Sequence, residues 1–213
     1  VTAIAAGGFH TCALIYDGTI RCWGANWHGE VGDGTDVERH SPVEVVELDG
    51  KAVAIAAGKY HTCAILDTGG LRCWGYNKYG QIGNGPEDDE WLPAKVAGLN
   101  ANVAAVALGE NHSCALLVED RIVCWGNNEQ GQLGIGNTET QYVPVFVTGM
   151  GTNAAAVITG QRFTCAFALT GGVYCWGENW AGQLGDGGQI MARVIGVMKD
   201  YHQTGMYSGI ESL

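Results

Sequence analysis

Short runs of apolar residues, separated by glycine-rich segments, recur along this chain. In the first part of the sequence they predict four short β-strands: Val1–Ala6, Thr11–Ile15, Thr19–Trp23 and Pro42–Val46. Asp17-Gly18, between the second and third runs, is a hairpin turn signal. The segment Gly24–Gly34 contains too much glycine for a helix, and no amphipathic helical period appears elsewhere. The pattern therefore predicts an all-β protein.

The strand pattern repeats with a period of 51 residues. The cysteines show this period most clearly: they are Cys12, Cys22, Cys63, Cys73, Cys114, Cys124, Cys165 and Cys175. The predicted units are repeats at 1–51, 52–102, 103–153 and 154–204, then 205–213, which either begins a fifth repeat or supplies a closing strand. Tandem units of four short strands are typical of propeller blades, because each blade needs its neighbours to complete a core.

Three motifs are similar to those of a known family. They are His10-Thr11-Cys12-Ala13-Leu14, Trp23-Gly24-Ala25-Asn26 and Gly131-Gln132-Leu133-Gly134-Ile135-Gly136. On these motifs the chain resembles, over about residues 1–190, the regulator of chromosome condensation (RCC1-like) repeat family, with the Cys-Trp-Gly blades of its secreted bacterial type. The resemblance implies a β-propeller of four-stranded antiparallel blades, usually seven in a ring. Four full repeats then represent either part of such a ring or an open, partial propeller.

The spacing within each cysteine pair predicts a disulfide across a hairpin. A three-residue loop at positions 16–18 makes Ile15 face Thr19, and counting outward places Cys12 opposite Cys22. Facing positions bring two Cα atoms close enough for a bridge. The predicted bonds are Cys12–Cys22, Cys63–Cys73, Cys114–Cys124 and Cys165–Cys175. Zinc fingers space their paired ligands more closely, so eight reduced, buried thiols are the main alternative.

Charge and hydropathy limit the possible partners. The chain has 22 acidic residues against 11 lysines and arginines, which gives a formal net charge of −11. This field repels nucleic-acid phosphates and anionic lipids. No apolar run approaches the roughly 20 residues that span a bilayer, so membrane insertion is not predicted. The predicted disulfides instead favour an extracellular, periplasmic or cell-surface location.

Candidate metal and catalytic sites are weak. Histidines share one repeat position in three repeats: His10, His61 and His112. Equivalent positions of neighbouring blades lie too far apart to share an ion, and Phe163 in the fourth repeat suits a packing role. The acidic segments Asp33–Asp36 and Glu87–Glu90 lack a complete calcium-binding pattern and are interpreted as solvated charge. Because no catalytic motif is present, we predict no enzymatic activity, no metal site and no cofactor.

Positions that vary within the repeated frame are free to form a binding surface. One variable site precedes the second strand: Gly8-Phe9, Lys59-Tyr60, Glu110-Asn111 and Gln161-Arg162. Exposed loop aromatics commonly anchor protein interfaces. The residues selected for partner binding are Trp27, His28, Lys78, Tyr79, Trp91, Gln130 and Trp180. The alternative is that some of these aromatic side chains are half-buried against the next blade.

The sequence favours a binding scaffold, outside the cell or on its surface, that recognises another macromolecule through propeller loops. The partner is expected to be a protein or a glycan. The alternative is a structural subunit of a surface assembly or filament, formed by self-assembly or by additional repeats. Lectin activity and guanine-nucleotide exchange on a small GTPase are less favoured, and the acidic charge and oxidised cysteines count against exchange.

Overall fold

The structure, a computed structural model, describes residues 1–85 and 88–186 and the backbone of 196–197. Blade 1 consists of β1 (Ala3–Ala6), β2 (His10–Leu14), β3 (Ile20–Gly24) and β4 (Arg39–Glu44). Blade 2 consists of β5 (Ala52–Ala57), β6 (His61–Leu66), β7 (Leu71–Gly75) and β8 (Glu90–Lys95). Blade 3 consists of β9 (Val103–Leu108), β10 (His112–Leu117), β11 (Ile122–Gly126) and β12 (Gln141–Phe146). Blade 4 consists of β13 (Ala154–Thr159), β14 (Phe163–Ala168), β15 (Val173–Gly177) and β16 (Gly196–Val197).

Each blade is an antiparallel meander in which consecutive strands are neighbours. The turn between β2 and β3 forms because Ile15 N donates to Thr19 O at 2.8 Å, around a three-residue loop. The last loop residue, Gly18, has a φ of 89°, and Asp120 takes the same place in blade 3 with a φ of 60°. Glycine and aspartate are among the residues that tolerate this conformation. The predicted all-β fold of four-stranded antiparallel blades is confirmed, and no helix occurs in the described ranges.

The hairpin register places the two cysteines of every blade opposite each other, as the spacing predicts. The bonded pairs are Cys12–Cys22, Cys63–Cys73, Cys114–Cys124 and Cys165–Cys175, each with a Cα–Cα distance of 4.1 Å. No cysteine is left free. The structure therefore shows paired cysteines rather than the alternative of eight reduced thiols.

The outer strand of a blade begins earlier than the sequence predicts. The prediction started this strand at Pro42, whereas β4 begins at Arg39, which lies opposite Gly24. Proline is tolerated inside β4 because this strand forms the edge of the blade, where one missing N–H group need not break a ladder. Pro93 in β8 and Pro144 in β12 occupy equivalent places.

Most of the hydrophobic core lies between blades, and one smaller cluster around Cys165 and Cys175 lies within blade 4. Three clusters of buried side chains each draw on two neighbouring blades. Trp74, Trp125 and Trp176 are almost completely buried in these clusters. Since one aromatic side chain buries roughly 150–250 Å², each tryptophan contributes a large share of its interface. The Cys-Trp-Gly tryptophans of blades 2–4 therefore pack between blades.

A hydrogen-bonded joint reinforces every described interface between blades. At the first interface, Trp74 Nε1 and Thr62 Oγ1 both donate to the backbone oxygen of Glu30, each at 2.9 Å. His10 Nε2 lies 2.7 Å from the same hydroxyl oxygen. Because the hydroxyl proton is directed to the carbonyl, His10 must donate through Nε2. The second joint uses His61, Ser113, Gln81 and Trp125, and the third uses His112, Thr164, Gln132 and Trp176.

The joint histidines are neutral at physiological pH. Burial lowers the pKa of His10 and of His112 to about 4, and burial together with the two neighbouring histidines lowers that of His61 to about 3. Their position between blades agrees with the packing role expected from the sequence.

Several sequence predictions fall outside the described residues. These are the end of the repeat at 154–204, apart from the backbone of β16, the segment 205–213, and Glu87 in the acidic loop. The boundaries of the four repeats therefore stay predictions. Among the described residues, no helix is long and apolar enough to cross a membrane.

Candidate functional site: the loop face of the propeller

Two loops of each blade lie at the same end of its strands. In blade 1, the loop 7–9 ends where β2 begins at His10, and the loop 25–38 begins where β3 ends at Gly24. His10 and Gly24 are paired, so the two loops lie side by side. We call this end, with loops 7–9 and 25–38 and their equivalents in the other blades, the loop face. The opposite end carries the tight turns around positions 16–18, 67–69, 118–120 and 169–171, and we call it the hairpin end.

A buried asparagine fixes the long loop in each blade. Asn26 Oδ1 accepts a bond from Val31 N at 2.8 Å, and its Nδ2 donates to Thr35 O at 2.8 Å and to Val37 O at 3.1 Å. Asn77, Asn128 and Asn179 accept the equivalent backbone bond in the other blades. The variable loop residues are therefore presented on a frame that is held from inside.

Six aromatic side chains form a continuous patch on the loop face of blades 1 and 2. This aromatic cluster consists of Phe9, Trp27, His28, Tyr60, Tyr76 and Tyr79. Phe9 and Tyr60 stack with their centroids 5.7 Å apart, and His28 and Tyr76 approach to 4.4 Å. Phe9 and Trp27 are each 53% exposed. Neighbouring blades thus share one apolar surface that remains open to solvent.

Carboxylates fix two members of the aromatic cluster at its edge. Trp27 Nε1 donates to Glu38 Oε1 at 2.7 Å. His28 Nδ1 lies 2.7 Å from Asp89 Oδ2, and the other oxygen of Asp89 accepts a bond from Asn77 N. Two of the six aromatic rings are therefore each bonded to a carboxylate of a long loop.

A chain of ion pairs connects the loop face of blades 2, 3 and 4. Lys59 Nζ lies 2.6 Å from Glu110 Oε1, and Arg162 Nε lies 3.2 Å from Glu110 Oε2. Arg162 also approaches Glu178 at 3.7 Å. Burial alone would raise the pKa of Glu110, but the bonds from Lys59 and Arg162 outweigh it and lower that pKa below its ordinary value. This network is polar and largely self-neutralised, unlike the aromatic cluster.

Two concave regions border these surfaces. A shallow depression of about 450 Å³ is lined by the ends of the inner strands and the loops that follow them, including Gly58, Lys59, Gly109 and Glu110. A much smaller pocket of about 40 Å³ lies between Tyr79, Asn111, Gln130 and Arg162. Asn111 Oδ1 is buried without a hydrogen-bond partner. Such an acceptor suits a donor group supplied by a bound molecule.

Comparison with known proteins assigns the chain to a family. One profile of the "Regulator of chromosome condensation (RCC1) repeat" matches residues 17–65, 68–116 and 119–167, and a second profile of the repeat matches 1–30, 52–81 and 103–132. The chain belongs to the RCC1 repeat family.

Its relatives in the RCC1 family include larger proteins of several kinds. The ultraviolet-B receptor UVR8 of Arabidopsis thaliana is 33% identical over 193 residues, which cover 89% of this chain and 44% of that protein. The probable E3 ubiquitin-protein ligase HERC4 of Homo sapiens is 31% identical over 193 residues, covering 88% of this chain and 18% of that protein. The chain thus spans less than half the length of these relatives. The similarity concerns their repeat region and assigns no catalytic activity to this chain.

Two solved structures share the fold. Yeast RCC1 (Prp20), solved with Kap60, superposes with a TM-score of 0.81 at 22% identity, covering 97% of this chain and 50% of that one. Human WBSCR16 superposes with a TM-score of 0.73 at 25% identity, covering 83% of this chain and 46% of that one.

Within this RCC1 frame, the structure places six of the seven selected residues in three groups. Trp27, His28 and Tyr79 come together in the aromatic cluster, and the exposed Lys78 precedes Tyr79. Gln130 lines the small pocket beside Tyr79. Trp180 is 73% exposed on blade 4, and it makes no ring contact with the cluster among the described residues.

Trp91 occupies an intermediate position between two blades. It lies near the start of β8 and is 44% exposed. A Cβ atom added to Gly29 of blade 1 would lie only 2.6 Å from Trp91 Cα, so the backbones of the two blades are in direct contact there. Tyr142 lies equally close to Gly80 at the next interface. Part of Trp91 therefore serves the contact between blades.

Sequence reasoning did not select three members of the aromatic cluster. Phe9 and Tyr60 belong to a site that was recognised as variable, and that variation was the available signal. Tyr76 varies in the same way, since the repeats carry Ala25, Tyr76, Asn127 and Glu178 at its position. What the sequence did not contain was the distance between Phe9 and Tyr60, which lie on different blades.

Proposed function

We propose that this RCC1-family chain is an extracellular or cell-surface scaffold that binds another protein through its loop face. The aromatic cluster is the observation that carries the proposal. Aromatic side chains supply much of the binding energy at protein interfaces, and here they are exposed on a frame that is already rigid. Yeast RCC1 (Prp20), which shares this fold, has been solved bound to another protein, Kap60.

The proposed location rests on the cysteines. Four disulfides, one in each blade, suit an oxidising environment better than a reducing cytosol. The net charge of −11 also supports a protein partner over a nucleic acid or an anionic membrane.

Replacing the exposed aromatics tests the proposal. The double variant Phe9→Ala/Trp27→Ala removes the two most exposed rings of the aromatic cluster. We expect it to weaken partner binding at least tenfold, because losing an anchor side chain commonly costs about 1–2 kcal/mol or more. Proteins captured from the surface fraction of the source cells would be identified by mass spectrometry, purified and titrated by calorimetry.

The matched control lies at the hairpin end. Tyr16→Ala/Val118→Ala removes two side chains that are 84% and 61% exposed there, and it should leave the affinity unchanged. If the control weakens binding and the loop-face variant does not, the binding surface has been assigned to the wrong end. If the purified candidate partners bind neither the wild-type chain nor either variant, the scaffold proposal fails.

A second candidate function, assembly with further blades, is favoured by one specific observation. At the three described interfaces a tryptophan donates to the preceding blade and lies over Gly32, Gly83 or Gly134. Trp23 of blade 1 is only partly buried and makes no such bond within the part of the chain that the structure describes. Gly185, the matching glycine of blade 4, has no described atom near its Cβ position.

Sedimentation analysis separates this candidate from the first. If blades of two copies pack together, the sedimentation coefficient should rise with concentration, and Trp23→Ser should abolish the rise. A coefficient that does not vary with concentration would eliminate self-assembly and leave loop-face binding as the proposal.

A further inference from the structure

The chemistry around the aromatic cluster indicates what kind of partner it fits, and this inference rests on the proposed loop-face function. The long loops of blades 1 and 2, which carry four of the six cluster residues, also carry acidic residues up to the start of β8. They include Glu30, Asp36, Glu38, Asp88, Asp89 and Glu90. Among the described residues, none of these six forms an ion pair with a lysine or an arginine. The negative charge of this region is therefore not neutralised from within.

The nearby cations are few and mostly engaged. Arg39 pairs with Asp33, and Lys59 pairs with Glu110. Lys78 is the exposed cation that remains in this region. Burial raises the pKa of Glu30 and of Glu90 above their ordinary values, and neighbouring carboxylates add to both shifts. Burial is the larger cause of both shifts, and the neighbouring carboxylates act in the same direction.

The hairpin end of the same blades differs. There Asp49 lies 3.2 Å from Arg72 and 3.6 Å from Lys95. The end that carries the exposed aromatic cluster thus also carries six carboxylates that no described lysine or arginine pairs with. The two features coincide on one surface.

Aromatic rings beside carboxylates form a recognition surface for cations. An arginine side chain can stack its flat guanidinium on a ring while its N–H groups donate to a carboxylate. Glu38 meets the ring of Trp27, and Asp89 meets the ring of His28, so ring and carboxylate are adjacent at two places. The chain already shows such a contact, since Lys59 Nζ lies 5.2 Å from the ring centroid of Tyr60.

We infer that the aromatic cluster and its flanking carboxylates bind an arginine-containing basic segment of the partner protein. The rings supply the contact area, and Glu38 and Asp89 supply the charge. An acidic partner would be repelled by this surface, and an uncharged apolar partner would leave its negative charge uncompensated.

Peptide titration tests the inference directly. The probe is a fluorescein-labelled peptide of alternating arginine and glycine, compared with one in which glutamine replaces every arginine. Binding to the complete chain is followed by fluorescence anisotropy at low salt and at 0.5 M NaCl. We expect the arginine peptide to bind at least tenfold more tightly than the glutamine peptide, and salt to weaken it. Equal binding of both peptides would overturn the inference.

Variants assign the binding to the proposed surface. Glu38→Gln/Asp89→Asn removes two charges while keeping an acceptor oxygen for Trp27 Nε1 and for Asn77 N, and the new amide NH2 of residue 89 can donate to His28 Nδ1. It should weaken the arginine peptide at least fivefold. The control Asp67→Asn/Glu119→Gln removes the same charge from exposed residues at the hairpin end and should have little effect. Equal weakening by both variants would show attraction to net charge alone and would also overturn the inference.

The inference and the proposed function fail in different ways. Suppose that Phe9→Ala/Trp27→Ala abolishes binding of the captured partner, whereas Glu38→Gln/Asp89→Asn and added salt leave its affinity unchanged. Loop-face binding then stands, and the inference of a basic, arginine-containing segment is wrong. If neither variant affects the captured partner, both ideas fail.

Discussion

Each joint histidine uses only one of its two ring nitrogens. Nε2 of His10, His61 and His112 is bonded to the hydroxyl of the next blade, whereas Nδ1 is buried without a partner. A proton added to Nδ1 would create a buried charge with no acceptor, which explains why burial lowers the pKa of these residues. The joints therefore depend on the neutral imidazole.

This dependence predicts a loss of stability in mild acid. Unfolded histidine binds a proton near pH 6.5, whereas native His61 does so only near pH 3. Stability is therefore complete above pH 6.5 and falls below it, by up to about 1.4 kcal/mol per pH unit for each such histidine. Urea unfolding measured between pH 7 and pH 5 should give a free energy of unfolding that falls less steeply with pH in His61→Phe than in the wild type. The control is the same replacement at the exposed His40, which should leave this pH dependence as in the wild type. A wild-type pH dependence in His61→Phe would contradict the account.

Close packing of a tryptophan on a glycine can be tested with a matched pair. A Cβ atom at Gly134 would lie 2.7 Å from Trp176 Nε1, whereas Gly136 has open space, and both have positive φ. We expect Gly136→Ala to cost about 1–2 kcal/mol for its backbone conformation, and Gly134→Ala to cost roughly 1–3 kcal/mol more. The free energies of unfolding in urea measure both. Equal costs would show that the tryptophan does not restrict this position.

At the scale of elements, the hairpin was the most predictable part of the fold. The three-residue loop and the ten-position cysteine spacing determine the register, because side chains alternate strictly along a strand. The outer strand was less predictable. Its start at Arg39 depends on pairing with Gly24, and proline at position 42 concealed a strand that continues through it.

Removing one bridge should measure what a hairpin disulfide contributes. Cys63→Ala/Cys73→Ala opens a short loop in blade 2, and the chain-entropy account gives a loss of about 2–3 kcal/mol. Chemical unfolding of the variant and the wild type under non-reducing conditions provides the comparison. A negligible loss would mean that the blade's packing, rather than the bridge, holds the hairpin together.

At the scale of the whole molecule, the period of 51 residues made the propeller predictable, since every repeated position has one structural role. The binding surface was only partly predictable. Internal comparison identified variable loop positions, but the aromatic cluster arises where blade 1 meets blade 2. The stacking of Phe9 on Tyr60 depends on the angle and distance between blades, which no local pattern encodes.

Site-specific photocrosslinking tests the central claim most directly. A benzophenone side chain would replace Trp27 at the loop face or, in a separate protein, Tyr16 at the hairpin end, and each protein would be irradiated with intact source cells. The account predicts a covalent adduct with a discrete partner protein from position 27 and none from position 16. An adduct that forms from position 16 but not from position 27 would contradict it.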